Sequence, residues 1–487
     1  MVKTNLAEGD HENMANRLLK PWPVLLLCLA AIAAFRTALV WHSYLAFGSD
    51  MGSYLMTKNW ILGQDPNGIQ LAHFRPPLIG VMMVPFTVLW GDLMGSKILW
   101  LLLSVTPALG MYVLAKRFVQ PWLAMGAALA IVLLPMNARL TTLNQISLPA
   151  MALALWGLAE LVDASRGAWG AGSWWSLVAL PVFLLAGLNQ TTMGMFAILA
   201  IVFVSFNGNK GYTLRILGIS GLVSLPWLWF YQTNIPIVSG LYTPGEPLWN
   251  IMPNFTLWWW LLPLGFGLVL PKLRPIAVLG IVALGLGQVV IPETAIVAIL
   301  DRMARYVPVF GVLISFGLLE EAMKRGWWAL RWQNALALPI MVVGLQLMWL
   351  GAFHESASRF NFVTPNTLMA MEWLKQNTAP DAKVMAHPDA LGWYVGGYAQ
   401  KRWAGTSGRG EPQRAYKALD NAFVVSMGWK QGNPYDLRDK QGVDYLLIDR
   451  ASWQTVNDDR QGWVGLTLLP WWAILWEQEE TVILGWR

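Results

Sequence analysis

The sequence predicts an α-helical polytopic membrane protein with about 11 transmembrane helices, and at most about 13, followed by an extracytoplasmic α/β domain. Hydrophobic residues make up 56% of the chain and charged residues only 13%, whereas a soluble domain has roughly 25% charged residues. The long apolar runs all lie within residues 1–353, and residues 354–487 contain none that could cross a membrane. We therefore expect a transmembrane domain over 1–353, with a first outer loop at 42–96, and a separate domain over 354–487.

The apolar runs define the candidate spans, and one of them differs from the rest. Run 77–90 is shorter than the roughly 20 residues that a transmembrane helix needs; it follows Pro76 and contains Pro85. We predict that it is a re-entrant or interfacial segment, so that the other runs supply the spans. These lie at 21–41, 97–115, 121–136, 146–162, 174–188, 191–206, 213–231, 257–270, 276–291, 306–319 and 334–353.

The placement of Lys and Arg predicts the orientation, because cytoplasmic loops carry an excess of these residues. If run 77–90 does not cross and the N-terminus is cytoplasmic, most loop cations fall on the cytoplasmic side. If the run crosses, the bias reverses. The cytoplasmic set is Lys3, Arg17, Lys20, Lys116, Arg117, Arg166, Lys210, Arg215, Lys272, Arg274, Lys324, Arg325 and Arg331, and the outer set is Lys58, Arg75, Lys97, Arg139, Arg302 and Arg305.

The first outer loop contains a short helical pattern that begins beside a carboxylate. From Met51 to Leu62 the apolar residues follow a 3.6-residue period, Ser49 or Asp50 is a good N-cap, and Gly63 is a natural stop. The pattern predicts an amphipathic helix on the membrane surface. Asp50 at its start serves either as a general base or only as a cap.

Residues 354–487 show the mixed pattern of an α/β domain. Thr364 and Pro365 predict a helix that runs to Lys375, with Thr as its cap and Pro at its first position. The last two strand candidates form a hairpin. The predicted strands are Lys383–Ala386, Ala422–Ser426, Val443–Ile448, Trp472–Trp476 and Thr481–Gly485, with helical segments near 412–419 and 436–441.

Several motifs then occur in a recognisable order. Asp50 follows the first span, Tyr54 lies one turn later, and the helix ends in Gly63-Gln64-Asp65-Pro66. This order resembles the first loop of the GT-C superfamily of membrane glycosyltransferases. The resemblance extends over nearly the whole chain, through Phe74-Arg75-Pro76-Pro77-Leu78, Tyr112–Phe118, Arg302-Met303-Ala304-Arg305-Tyr306, Met371-Glu372-Trp373-Leu374, Pro380-Asp381-Ala382 and Gly442-Val443-Asp444-Tyr445.

The resemblance implies an inverting glycosyltransferase of the protein O-mannosyltransferase or lipid A aminoarabinose transferase type, in the cytoplasmic (inner) membrane. It would move a sugar from a polyprenyl-phosphate donor to an unidentified acceptor on the outer face. Asp50 would be the catalytic base, because a carboxylate can take the proton of an attacking hydroxyl. The candidates for binding the donor phosphate are Arg305, Arg302, Arg75 and Arg139, and Tyr54, His73 and Glu293 are further site candidates.

Each candidate also has a simpler interpretation. The arginines could extend along the membrane interface, and Glu293 and Asp301 could pair with them. The whole protein could instead be a flippase or transporter of lipid-linked sugars, or a non-catalytic glycan-assembly subunit. We favour the enzyme, because transporters tend to show internal repeats and charged groups near mid-membrane, and this sequence shows no repeat.

Two departures from the family pattern bear on cofactors. Met51 follows Asp50 where the protein O-mannosyltransferases have Glu, and residues 137–145 contain no acid where the oligosaccharyltransferase branch has Asp-x-Asp. The histidines show no metal-ligand spacing. We therefore assign no metal and no other cofactor, and no Lys/Arg block predicts a nucleic-acid partner. The expected partners are the polyprenyl-phosphate sugar, membrane lipids and the acceptor.

Overall fold

The computed structural model describes residues 21–41, 51–64, 77–143, 146–166, 174–206, 211, 218, 221–227, 229, 260–287, 303–326, 343–355, 363–387, 389–404, 422–423, 425–426, 431–449 and 469–487. Most of them are helical, as expected from the long apolar runs. The N-terminal helices are α1 (Pro21–Val40), α2 (Met51–Ile61), α3 (Pro77–Ala115), α4 (Pro121–Leu133), α5 (Pro135–Leu143), α6 (Ser147–Ser165), α7 (Trp174–Leu188), α8 (Gln190–Phe206), α9 (Leu261–Val269), α10 (Arg274–Leu286) and α11 (Tyr306–Lys324). Residues 343–355 are also helical.

Three helices in the described ranges, α1, α3 and α11, are long and apolar enough to cross a membrane. Helices α4 and α5 would make a fourth span if the bent pair is counted as one; their axes differ by 53°. The total of about 11 spans therefore stays a prediction.

Helix α3 reverses its direction at Gly91. This glycine has φ 76° and ψ 165°, a conformation that residues with a Cβ rarely adopt. A Cβ on Gly95 would overlap the backbone of Phe86, although in a straight helix these two residues would be roughly 13 Å apart. Residues 77–90 therefore fold back on the helix that follows. The break separates the two apolar runs where the sequence analysis separated them.

The prediction that α2 is amphipathic is wrong, and its place at the membrane surface stays a prediction. The bounds of this helix are close to those predicted, and Gly63 just after it has φ 68°. However, every residue from Met51 to Asn59 is buried. The helix packs between α3 and a helix of the C-terminal part, and its polar side chains find partners there.

Helices α6 and α11 run in the same direction, and the turn at 116–120 joins their last turns. Arg117 forms an ion pair with Asp163 near the end of α6, at 2.6 Å. The backbone N–H of Gln120 donates to Oε2 of Glu320 near the end of α11, at 2.9 Å, and Lys324 also pairs with Glu320. These contacts bring together residues that the charge pattern assigns to one side of the membrane.

The C-terminal part contains a five-stranded mixed sheet. The elements of this part are α12 (Pro365–Asn377), β1 (Lys383–His387), α13 (Asp389–Gly397), β2 (Arg402–Trp403), α14 (Asp436–Asp439), β3 (Tyr445–Asp449), β4 (Trp472–Gln478) and β5 (Thr481–Trp486). The strand order in the sheet is β2-β1-β3-β5-β4, in which β1 is parallel to β2 and β3, and β5 is antiparallel to β3 and β4.

Most predictions for this part are confirmed, and one strand is wrong. Thr364 caps α12 and forms a reciprocal capping box with Thr367, and β4 and β5 form the expected hairpin. The proposed strand Ala422–Ser426 is instead helical at each of its described residues. Its Ser426 carbonyl accepts hydrogen bonds from two indoles, so tertiary contacts outweigh the local strand preference. The segment 412–419 lies outside the described residues.

One apolar core extends from the N-terminal helices into the C-terminal sheet. It includes Leu55 of α2 and Trp100 of α3, and it continues through Leu391 of α13 to Leu447 of β3. The first loop helix and the sheet are therefore packed around common side chains. The division of the chain at residue 353 stays a prediction.

Candidate functional site

The candidate site is formed around α2, the helix that begins directly after Asp50. The partners of its polar side chains hold this helix in place. Lys58 Nζ forms an ion pair with Oδ1 of Asp92, at 2.6 Å, just after the reversal of α3. Asn59 Nδ2 donates to the carbonyl oxygen of Gly397 at the end of α13, at 2.6 Å. Helix α2 is thus joined to both of the elements that enclose it.

Glycines allow α2 and α13 to approach closely. A Cβ on Gly52 would lie 2.6 Å from the backbone carbon of Trp393, and a Cβ on Gly397 would overlap the carbonyl oxygen of Gly52. A Cβ on Gly396 would lie 2.8 Å from the sulfur of Met56. Substitution at Gly52 or Gly397 must therefore move one helix away from the other, whereas at Gly396 the flexible side chain of Met56 would have to shift.

Tyr54 connects α2 to the start of α6. Its hydroxyl oxygen accepts a long hydrogen bond from the backbone N–H of Ile146, at 3.4 Å. The side chain is 1% exposed and lies one helical turn after Asp50. Tyr54 therefore positions the segment that leads into α6.

Arg305 contacts the next residue of the same segment. Its Nη1 donates to Oγ of Ser147, the first residue of α6, at 3.2 Å. The preceding residues Met303 and Ala304 are buried, and Arg305 itself is half-buried at the start of α11. Consecutive residues, Ile146 and Ser147, thus contact two side chains that the family resemblance had selected as site candidates.

Arg139 is placed differently from Arg305. It belongs to α5, and its Nη2 lies 3.4 Å from Oε2 of Glu355. The side chain of Glu355 is largely exposed, so this pair is partly accessible to solvent. A phosphate at Arg139 would have to compete with a carboxylate that is already in contact.

The remaining predicted site residues lie outside the described part of the chain: Asp50, His73, Arg75, Glu293 and Arg302. Their predicted roles stay predictions. Within the described ranges, no group of three or more His, Cys, Asp or Glu side chains could hold a metal ion.

Sequence reasoning missed Ser147, Asp92 and Asn59. Ser147 had a local signal, because a Ser two residues before Pro149 is typical of a helix start. Asp92 follows a glycine between two apolar runs, which marks a turn but gives no partner. The partner of Asn59 is 338 residues away in the sequence, and no local pattern could have predicted it.

Comparisons with solved structures show what this arrangement resembles. The archaeal oligosaccharyltransferase AglB from Archaeoglobus fulgidus, in complex with an inhibitory peptide and a dolichol-phosphate, aligns with a TM-score of 0.61 and 12% identity, over 88% of this chain and 70% of AglB. ArnT from Cupriavidus metallidurans, bound to undecaprenyl phosphate, aligns with a TM-score of 0.58 and 12% identity, over 94% of this chain and 97% of ArnT.

A third solved structure is the arabinofuranosyltransferase AftD from Mycobacteria. It aligns with a TM-score of 0.58 and 12% identity over 94% of this chain, which spans only 39% of the AftD chain. No protein-family model and no curated protein matches the sequence. The likeness therefore lies in the fold. The chain has the fold of the GT-C membrane glycosyltransferases, and it is a multi-pass membrane protein of that fold.

Proposed function

We propose that the protein is an inverting glycosyltransferase that moves a sugar from a polyprenyl-phosphate donor to an acceptor on the outer face of the cytoplasmic membrane. The observation that carries the proposal is the convergence of Tyr54 and Arg305 on Ile146 and Ser147. It places a cation close to the helix that begins beside Asp50. The fold supports the reaction class, and the lipid phosphates bound to ArnT and AglB support the class of donor.

The chemistry assigned to Asp50 is removal of a proton. An acceptor hydroxyl attacks the anomeric carbon on the face opposite the phosphate, and its proton passes to the Asp50 carboxylate. The bond between the anomeric carbon and the phosphate oxygen breaks, and its electron pair leaves with the polyprenyl phosphate. A single displacement of this kind inverts the configuration of the sugar.

The chemistry assigned to Arg305 is stabilisation of the leaving phosphate. Negative charge increases on the phosphate as the glycosidic bond breaks, and a guanidinium can donate two parallel hydrogen bonds to it. Arg305 suits this role because it is half-buried at the start of an apolar helix. Of the other cations, Arg139 already contacts Glu355, and Arg302 and Arg75 remain candidates from the sequence.

The proposed orientation places the site and the C-terminal part on the outer side. The cation-rich ends of α6 and α11 would face the cytoplasm, as the positive-inside rule requires. Ser147 and Arg305 begin these two helices, so they would lie at the opposite, outer end. Because α13 packs on α2, the C-terminal sheet would lie on that side too.

Substitution of Asp50 tests the proposal directly. Asp50→Asn preserves side-chain size and the ability to cap a helix, so a loss of function would not reflect fraying of α2. We expect turnover of undecaprenyl-phosphate-linked sugars by the purified protein to fall by roughly 10²- to 10⁴-fold, with binding of undecaprenyl phosphate nearly unchanged.

A matched control is Asp381→Asn, which removes an exposed carboxylate from the C-terminal part. It should leave turnover at the parent level. Parental turnover in Asp50→Asn would mean that Asp50 only caps the helix and that the base must be sought elsewhere. Translocation of the lipid-linked sugar without transfer would favour the flippase instead.

A further inference from the structure

Arg36 is a buried cation in the last turns of the first membrane-spanning helix. It lies in α1, the first apolar helix, and is 0% exposed. Ionisable groups inside transmembrane helices are costly, and they usually pair with an acid or reach the interface. In the described part of the chain, Arg36 instead contacts neutral groups, so its role must come from the groups that it holds.

The first of these groups is the broken end of α4. Helix α4 ends at Leu133, Leu134 is extended, and α5 begins at Pro135. Because the helix ends here, carbonyl groups in the last turn of α4 lose their usual donors four residues later, and Pro135 has no N–H to offer. Arg36 Nη2 donates to one of them, Val132, at 2.8 Å. A cation at this end of a helix is also favoured by the helix dipole.

The second group is Asn137, in the first turn of α5. Arg36 Nη1 donates to its Oδ1 at 3.3 Å and to Oγ of Ser104 at 3.1 Å. The amide of Asn137 donates in turn to the carbonyl oxygen of Ser104, at 3.0 Å. One guanidinium therefore contacts the end of α4, the start of α5 and the long helix α3.

Trp349 closes the network from the helical residues 343–355. The guanidinium carbon of Arg36 lies 3.8 Å from the centroid of its ring, a contact that is strengthened when both groups are desolvated. The indole Nε1 of Trp349 donates to Oδ1 of Asn137, at 3.1 Å. All four side chains, Arg36, Ser104, Asn137 and Trp349, are at most 1% exposed.

We propose that Arg36 is a positioning residue that sets the angle between α4 and α5. Helix α5 runs from this bend to Leu143, close in sequence to Ile146 and Ser147, which contact Tyr54 and Arg305. By fixing the direction in which α5 leaves the bend, Arg36 would fix where Ser147 meets Arg305. The consequence for the donor rests on the proposed function; the consequence for the bend does not.

The bend can be measured without any activity assay. Trp122 on α4 is exposed and Arg139 on α5 is partly exposed, so both can carry nitroxide labels on cysteines in a Cys28→Ser background. We expect a narrow distance distribution in this labelled parent. Arg36→Met, which removes the charge and the three hydrogen bonds but retains side-chain length, should broaden or shift that distribution.

Binding of undecaprenyl phosphate to proteins without labels is the second measurement. Arg36→Met should weaken it by roughly ten- to a hundredfold, the effect of losing one hydrogen bond between Arg305 and the charged phosphate. Arg36→Lys should give an intermediate result, because lysine retains the charge but not the planar fork. Thr37→Val is the matched control: among the described residues its hydroxyl donates to the Ala33 carbonyl within α1, and both measurements should stay at the parent value.

Ser104→Ala keeps the proposal testable if Arg36→Met does not fold. It removes one of the acceptors of the Arg36 guanidinium. The distance distribution should therefore shift or broaden less than in Arg36→Met. An unchanged distance distribution in a folded Arg36→Met protein would overturn the positioning role. A changed distribution with parental lipid binding would retain the role at the bend and overturn its link to the donor.

Discussion

The buried ion pair between Lys58 and Asp92 gives a prediction that does not depend on the proposed reaction. The two side chains are 4% and 18% exposed, and Nζ lies 2.6 Å from Oδ1. The pair joins α2 to the point where α3 reverses. Lys58→Met removes the ammonium but keeps most of the apolar length of the side chain, and it leaves the carboxylate of Asp92 without its cation.

The expected destabilisation follows from this burial. Removing one partner of a buried ion pair costs about 3–5 kcal/mol, because the other charge remains in a medium of low dielectric constant. Asp92 retains some contact with solvent, so we expect the lower end of this range, about 3 kcal/mol. The double variant Lys58→Met with Asp92→Asn removes both charges, and it should recover most of the loss.

Reversible unfolding in mixed detergent micelles would measure these differences as a double-mutant cycle. Arg325→Met serves as the matched control, since Arg325 pairs with Glu321 one turn away and both side chains are exposed. Its removal should change stability little. Equal stability of Lys58→Met and the parent would refute the reasoning, as would a double variant no more stable than Lys58→Met alone.

Three further predictions concern the donor, the packing of α2 and the topology. Arg305→Ala should weaken binding of undecaprenyl phosphate by roughly ten- to a hundredfold, with partial recovery in Arg305→Lys; unchanged binding in both would move the phosphate site to another arginine. Gly397→Ala should lower the thermal unfolding midpoint. Gly344→Ala should not lower it, because the added Cβ meets open space. Equal midpoints of the two variants would contradict the close contact between α2 and α13. Cysteines at Leu62 and Lys375, introduced in Cys28→Ser, should both react with a membrane-impermeant reagent in intact cells, and labelling of only one of them would contradict the proposed orientation.

The existence and bounds of α2 followed from the sequence, but its surroundings did not. A cap, a 3.6-residue apolar period and a terminal glycine are local features, and they gave bounds close to those of the helix. The sequence analysis placed Lys58 in the outer loop and gave neither Lys58 nor Asn59 a partner. In the structure they reach Asp92 and Gly397, which satisfy them in the interior.

The C-terminal part shows the same distinction. The hairpin of β4 and β5 and the capping box of α12 were predictable because each depends on residues that are close in sequence. Helix α13 was missed because its glycines have low helix propensity. Two of those glycines, Gly396 and Gly397, allow contact with α2, more than 300 residues earlier in the sequence.

The sequence by itself determined the membrane character and the break between the two apolar runs at 77–115, and the family resemblance drew attention to Tyr54 and Arg305. Only the tertiary structure decided that these two side chains meet at Ile146 and Ser147, and that Arg36 contacts the bend between α4 and α5. The physical reason is the range of the interactions. Hydropathy and helix capping act over a few neighbouring residues, whereas the partner of a buried polar group is whichever group the folded chain brings within hydrogen-bonding distance.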